Sequence, residues 1–497
     1  MLLLRKILFY IFLLIYFTIC PWLILYTLGY VIDFKSETGL VKTGAVSIAT
    51  LPEGAEIYIR NQRQPKKTPA VFLNLHPGEY AVRVEKPGYQ SWKNILHVAS
   101  ERAVVLEKIV LLPAGLAPEP VSKEPFERIL PLKNANEILL ARGPLFGDLI
   151  LMDPEKHTEV CLADKMADGN LSNAKIARFF TSEDGNIFWL RLELPGGRPH
   201  LLRGRIRFKT FEMEDKTSFF SELPEQIEWE AGDENKIYGL RQSVLSLVNL
   251  DSPKQSMELA EGVLGFKLHK QKVFFVKDQN VFRTDSSGGN ARPLLEDTFL
   301  ASELFGTQSS FRIGAFPDGT LLFLNSQGGL FSNRLPYWIA RNEIQGFEYD
   351  PDRQQAAAWN SKRIGVLDFS KDVFMRQEAL NRQMRFRWIF SQGESITQVL
   401  WVLEGTQLLF RDGPHIYLVE VFPDFEGIPR FLADADESSP MVYLKSAEKL
   451  FYRNGRTRRL MGLSLVPKRE IPGTALLKTG LMEVDKSFSK TNGAGTA

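Results

Sequence analysis

Cysteine is nearly absent. The 497 residues contain two, Cys20 and Cys161. Cys20 lies in an apolar run, so the pair is not expected to form a disulfide, and a small staple-dependent fold is excluded. Histidine is also sparse. None of His76, His97, His157, His200, His269 and His415 stands at metal-ligand spacing from another, and no Cys-x-x-Cys or His-x-x-x-His occurs. No Gly-x-Ser-x-Gly elbow and no Gly-x-x-x-x-Gly-Lys phosphate loop is present. Net charge is lacking too: 61 Lys and Arg against 59 Asp and Glu leave +2, which gives no reason to expect nucleic-acid binding. These absences leave no catalytic, cofactor or metal residue to nominate. Asp350/Asp352 and Asp434/Asp436 invite a calcium reading, but Asp350-Pro-Asp352 fits a blade turn and the Asp434/Asp436 loop lacks a glycine-containing ligand ladder. Arg456, Arg458 and Arg459 read as a solvated basic turn.

One long apolar run is present. Ile7–Ile32 carries no charged side chain over 26 residues. A bilayer-spanning helix needs roughly 20 apolar residues, so residues 7–32 are expected to cross a lipid bilayer, with Pro21 tolerated inside and Tyr30 at the interface. The run is longer than the roughly 7–15 residues of a secretory leader, and Leu28-Gly29-Tyr30 is a poor cleavage site. Ile19 before Cys20 does not fit lipid attachment. Arg5 and Lys6 abut the run on its N-terminal side, against Lys35 and Lys42 beyond it. The expected topology is single-pass in the cell membrane, with residues 1–6 cytoplasmic and the bulk of the chain extracytoplasmic.

Beyond the run, short alternating segments are separated by turn residues. Glu56–Arg60, Ala70–Leu73 and Tyr80–Glu85 read as strands, with Pro-Gly turns at Pro77-Gly78 and Pro87-Gly88. This spacing predicts a small β-sandwich over residues 43–113. Pro52, Glu53, Gly54 and Ala55, then Thr68 and Pro69, then Pro77, Gly78 and Tyr80, and finally Pro87, Gly88, Tyr89 and Trp92 form an ordered motif set. The set resembles the PEGA domain of bacterial envelope proteins. The resemblance implies a β-sandwich without a catalytic signature. The glycines suit turns at positive φ, the prolines fix strand ends, and the aromatic residues pack the core or display a binding surface.

Residues 114–125, opening on a Pro/Ala-rich stretch, read as a linker. From 126 to 467 a strand–turn–strand unit recurs. Examples are IYGLRQSVLSLVNLD from Ile237, VFFVKDQNVFRTD from Val273 and LLFRDGPHIYLVEV from Leu408. A polar residue closes the first strand of each unit: Arg142, Arg191, Arg241, Lys277, Asn325, Asn360, Arg411 and Arg453. Their spacing averages about 44 residues, the period of propeller blades. An extra strand before several units brings the count to four per repeat. The expected fold is mainly β: a transmembrane helix, a PEGA-type sandwich and a seven- or eight-bladed β-propeller. In pattern alone the repeats resemble the divergent TolB and tryptophan-aspartate propellers. Residues 468–497 are expected to be a partly disordered tail.

The functional expectation is a non-enzymatic, membrane-anchored binding or scaffold protein of the cell envelope. Its partners would be envelope proteins or cell-surface glycans, without nucleic acid and without a cofactor. The alternative is an envelope enzyme, a glycan-active hydrolase or lyase with a propeller-borne site.

Overall fold

The computed structural model describes residues 2–466 except 28, 33–39, 134, 167–168, 183–184, 208–209, 231–232, 253–255, 286–287, 290, 307, 309, 335–336, 351–352, 369–384 and 423–425. The expected tail at 468–497 and the Asp352 half of one acidic pair lie outside the described residues.

The apolar run divides in two. A helix occupies Leu2–Thr27, and within it the 21 residues Arg5–Leu25, of mean hydropathy 2.4, are long and apolar enough to cross a membrane. The side chains of that stretch project away from the rest of the chain. The helix ends at Thr27, five residues before the end of the expected span at Ile32. Gly29 takes φ +79° and turns the chain, and Tyr30–Ile32 then pairs as a strand with Leu40–Lys42. The β-branched Val31 and Ile32 favour that extended state over a helix. Thr43 ties the turn shut, donating from its backbone N–H and its hydroxyl to the Gly29 carbonyl, each at 2.8 Å.

The sandwich follows directly. One sheet pairs Ala70–Leu75, Gly44–Leu51 and Ala103–Val110; the other pairs Gln62–Lys67, Glu56–Ile59, Gly78–Glu85 and Trp92–Val98. Strict alternation of buried and half-buried residues along Gly44–Leu51 shows the period-two pattern at work. Val46, Ile48, Ile57, Val82, Val84, Trp92 and Leu96 fill the space between the sheets.

Among the described residues eight four-stranded antiparallel sheets follow, numbered here 1 to 8. They begin with the strands Arg128–Leu130, Lys175–Thr181, Gln226–Glu230, Gly265–His269, Phe311–Ala315, Gly346–Asp350, Ile396–Val402 and Val442–Leu444. Sheets 1 to 7 are each a meander of consecutive strands. Tight hairpins join second strands to third where Gln242-Ser243 and Asp278-Gln279 accept positive φ, matching the twist of the flanking strands. The first strands form the inner edge of the assembly. Phe311 donates to the Leu264 carbonyl at 3.0 Å between sheets 5 and 4, and a Cβ on Gly265 would lie 2.3 Å from the Phe311 carbonyl oxygen. Only glycine allows that approach. A short helix, Thr298–Phe305, capped by the Asp297 carboxylate, packs Phe305 among Phe311, Phe323 and Phe331. The repeat pattern gave no sign of it.

Each pair of neighbouring sheets shares an apolar core, and so do the last and the first. Val442, Leu444, Phe451 and Leu460 of sheet 8 pack against Ile129, Ile138, Leu140 and Met152 of sheet 1. Sheet 8 is completed from the far end of the chain: Glu119–Pro120 pairs with Gly462 and Met461. The segment expected as a linker therefore carries a strand of the propeller-like body, which begins before residue 126.

The sandwich and the body also share cores. Phe422 of the body is buried in the sandwich core, while Val110 and Leu112 of the sandwich are buried in the core of sheets 7 and 8. The stretch expected as a linker therefore does not separate the two cores. The apolar residues straddling Pro113 are what glue them.

Candidate functional site

The motif residues of the sandwich organise turns and core. Thr68 is buried, its hydroxyl accepting from the Ala55 N–H at 2.9 Å and meeting the Thr50 hydroxyl at 2.6 Å. Gly54 donates to the Thr68 carbonyl at 2.8 Å, so the Pro52-Glu53-Gly54-Ala55 and Thr68-Pro69 elements hold each other. The Leu51–Pro52 and Thr68–Pro69 peptides are cis. Gly54 and Gly88 sit at φ +81° and +84°, as their turns require, and Gly78 at +145°. Glu53 lends its carbonyl to the Lys86 ammonium. Tyr80 is buried, its hydroxyl donating to the His76 carbonyl at 2.9 Å in the turn that holds Pro77, with the Arg60 guanidinium 4.1 Å from its ring centre. Pro87-Gly88-Tyr89 clasps the exit of the sandwich: Gln90 donates to the Leu112 carbonyl at 2.8 Å and Ala114 donates to that of Gly88 at 2.9 Å.

Trp92 does more than pack. Its indole N–H donates to Glu420 of sheet 7, a buried carboxylate paired with Arg430 at 2.6 Å. Arg430 in turn donates to the Val110 carbonyl at 2.7 Å. Burial pushes the Glu420 carboxyl above its usual range, and Arg430 opposes that rise. A buried pair of this kind is costly to break, because removing one partner strands the other charge. Trp92, Glu420, Phe422, Arg430 and Val110 thus lock the sandwich onto the body. Sequence reasoning found Trp92 alone. Arg430 and Val110 are 320 residues apart, and no local pattern links them.

The polar residues that mark the repeat lie where each second strand finishes, beside the start of the first. Their roles are structural in most sheets. Arg411 donates to the carbonyls of Ser439 at 2.6 Å and Asp436 at 3.2 Å. Arg453 donates to the carbonyls of Phe126, at 3.0 Å, and Glu127, and pairs with Asp436 at 2.7 Å. In both cases the arginine of one sheet satisfies the loop that leads into the next. Asn325 and Asn360 accept backbone N–H groups within their own turns.

Sheet 2 departs from that pattern. Arg178 and Arg191 face each other across the first and second strands, beside a bulge at Ile176/Arg178. With Lys175, Glu193 and Glu225 they line an open depression of about 450 Å³ at the inner rim between sheets 2 and 3.

The remaining candidates are occupied structurally. Asp434 pairs with His415 at 2.7 Å; Asp436 accepts from Ser438 and Arg453. For Asp436 burial acts upward, but Ser438 and Arg453 outweigh it and hold the carboxyl below its usual range. Neither acid faces an arranged cation site, and no group of three potential ligands is found among the described residues. Arg458 closes a turn, at φ +55° and bonded to Asn454.

Comparison with known proteins agrees with part of this. Residues 43–109 match the PEGA domain. None of the curated proteins compared with the chain matches it. Among solved structures, the chain is similar to the β-propeller domain of Cps50 (Swd1) from Myceliophteria thermophila, at 10% identity and TM-score 0.37 over 70% of this chain and 99% of that one. It is similar to a eukaryotic initiation factor at 11% identity and TM-score 0.44, over 79% and 94%. A third similar structure is Hsv2p of Kluyveromyces lactis, at 13% identity and TM-score 0.35, over 58% and 97%.

Proposed function

We propose that the chain is a membrane-anchored binding or scaffold protein of the bacterial cell envelope, with its body outside the cytoplasm. The helix Leu2–Thr27 is the anchor, the PEGA module stands next to the bilayer, and the eight sheets are the blades of a closed propeller that presents the interaction surface. The observation that carries this reading is the continuity of the architecture. The apolar helix passes through the Gly29 turn into the sandwich, and the sandwich shares its core with the body through Phe422. On this reading the sandwich carries the body beside the bilayer.

The enzymatic alternative needs carboxylates free to act at the channel. Two acidic residues of the inner strands are engaged instead. Glu228 accepts from the Leu268 N–H at 2.6 Å and pairs with Lys267, and Glu348 pairs with Arg312 at 3.7 Å. The test is purification from gently solubilised membranes, with identification of retained proteins and glycans. Retention of a defined partner set supports the scaffold reading; turnover of cell-wall glycan by the pure protein, with no partner retained, would replace it.

A further inference from the structure

We infer that the rim depression between sheets 2 and 3 binds an acidic carbohydrate, its carboxylate on Arg178 and Arg191 and its hydroxyls on Glu193 and Glu225. The inference deepens the reading of the propeller as an interaction platform and rests on it.

Three observations converge. First, Arg191 holds the repeat position, and most of the cations at that position are engaged within the fold. Arg142 pairs with Glu124 and Glu159, and Arg411 and Arg453 bond to the loops that follow. Arg191 has neither a hydrogen bond nor an ion pair among the described residues, and its Nε is buried without an acceptor. Second, the reason is visible. By the pattern of Arg411 and Arg453, Arg191 would take a carbonyl of the loop entering the next sheet. The Glu225 carbonyl is instead taken by Arg178, at 2.7 Å. Third, Arg178 and Arg191 are directly opposite in the register of the strand pair, which puts two cationic side chains on one face of the sheet. Like charges so placed repel, and an anion between them relieves the repulsion. Planar guanidinium groups match a carboxylate with paired, charge-assisted hydrogen bonds.

The other lining residues refine the ligand class. Lys175 adds positive charge at the rim, opposite Glu193 in the strand register. Glu193 and Glu225 carry carboxylates, which accept hydrogen bonds and do not donate them when ionised. A bare phosphate meets them as like charges. A polyhydroxylated acid meets them with hydroxyl donors while its carboxylate stays on the arginines. The depression, at about 450 Å³, has room for a sugar acid of one or two rings.

The experiment uses the full chain in mild detergent and titrates it calorimetrically with a galacturonic acid trisaccharide. The neutral galactose trisaccharide and inorganic phosphate are the comparison arms. The expected result is saturable binding of the acidic sugar that weakens with salt, and at least tenfold weaker binding of both other probes. Arg191→Gln should weaken acidic-sugar binding at least tenfold. Glu193→Gln, which leaves the cations in place, should reduce the preference over phosphate. Phosphate bound as tightly as the sugar acid, or sugar binding untouched by R191Q in a chain of unchanged melting temperature, overturns the assignment. If R191Q fails to fold, E193Q decides: an unaltered preference over phosphate overturns it. Partner retention is measured on the same variants. Loss of sugar binding with partners retained separates failure of this site from failure of the scaffold reading.

Discussion

Replacing Phe422 by Ala should loosen the sandwich, although the substitution lies in the connection between the third and fourth strands of sheet 7, outside residues 43–113. The Phe422 side chain is 5% exposed and packs inside the sandwich core. Truncating a buried Phe to Ala costs about 3–5 kcal/mol, because the apolar transfer is lost and a cavity remains. That cost falls on the junction, so local opening of the sandwich becomes easier by the same amount. With every 1.4 kcal/mol worth tenfold, amide exchange in the sandwich should accelerate by roughly two to three and a half powers of ten. The assay is hydrogen exchange by mass spectrometry on the full chain. Peptides over 78–98 report the sandwich, and peptides over 187–207 in sheet 2 serve as a distant reference. Wild-type and variant reference peptides should exchange alike. Sandwich peptides accelerated by less than threefold would refute the shared core.

Three further perturbations address other parts of the fold. Glu214 is subject to burial, which acts upward, but hydrogen bonds from Arg203 and Lys216 bring it from 4.5 to about 2; a depressed folded-state value means stability is present above pH 4.5 and lost as pH falls toward 2. The melting temperature should therefore fall less steeply between pH 4.5 and 2 in Glu214→Gln than in wild type, and parallel profiles would contradict this. Gly265→Ala places a methyl 2.3 Å from the Phe311 carbonyl oxygen and should cost about 1–3 kcal/mol in denaturant unfolding, whereas an unchanged midpoint would show that the inner strands can separate. Deleting Ser438–Leu465 removes most of sheet 8, strands the Glu119–Pro120 strand and exposes the core faces of its neighbours; aggregation is expected on size-exclusion chromatography, and a monomeric, cooperatively melting product would favour an open array.

The legible parts of this fold were the local ones. Alternation along Gly44–Leu51 and Tyr80–Glu85 and the Pro-Gly turns place the sandwich, and the recurrence of Arg142, Arg191, Arg241, Lys277, Asn325, Asn360, Arg411 and Arg453 places the second strand of each sheet. The end of the N-terminal helix was not legible by hydropathy, because Tyr30–Ile32 is as apolar as the helix; the Gly29 turn separates them. The strand at Glu119–Pro120 is two residues long and gains its partner from the other end of the chain, so it carries no periodicity of its own. The junction was hidden for the same reason: Phe422 reads as one more apolar strand-end residue until the sandwich is set against it. The Arg178–Arg191 pair shows the converse limit. The sequence marks Arg191 as a repeat residue, but only the register reveals that Arg178 has displaced it from the loop it would otherwise hold.

The proposed placement of the body outside the cytoplasm, on a membrane anchor, is tested by labelling the full chain in intact cells. With Cys20 and Cys161 replaced by Ser, Lys66→Cys places one thiol on an exposed strand of the sandwich. A membrane-impermeant maleimide added to intact cells should label it, and the labelled chain should sediment with membranes and resist extraction by high salt. A thiol that reacts only after lysis, or a labelled chain released into the soluble fraction, would contradict that placement.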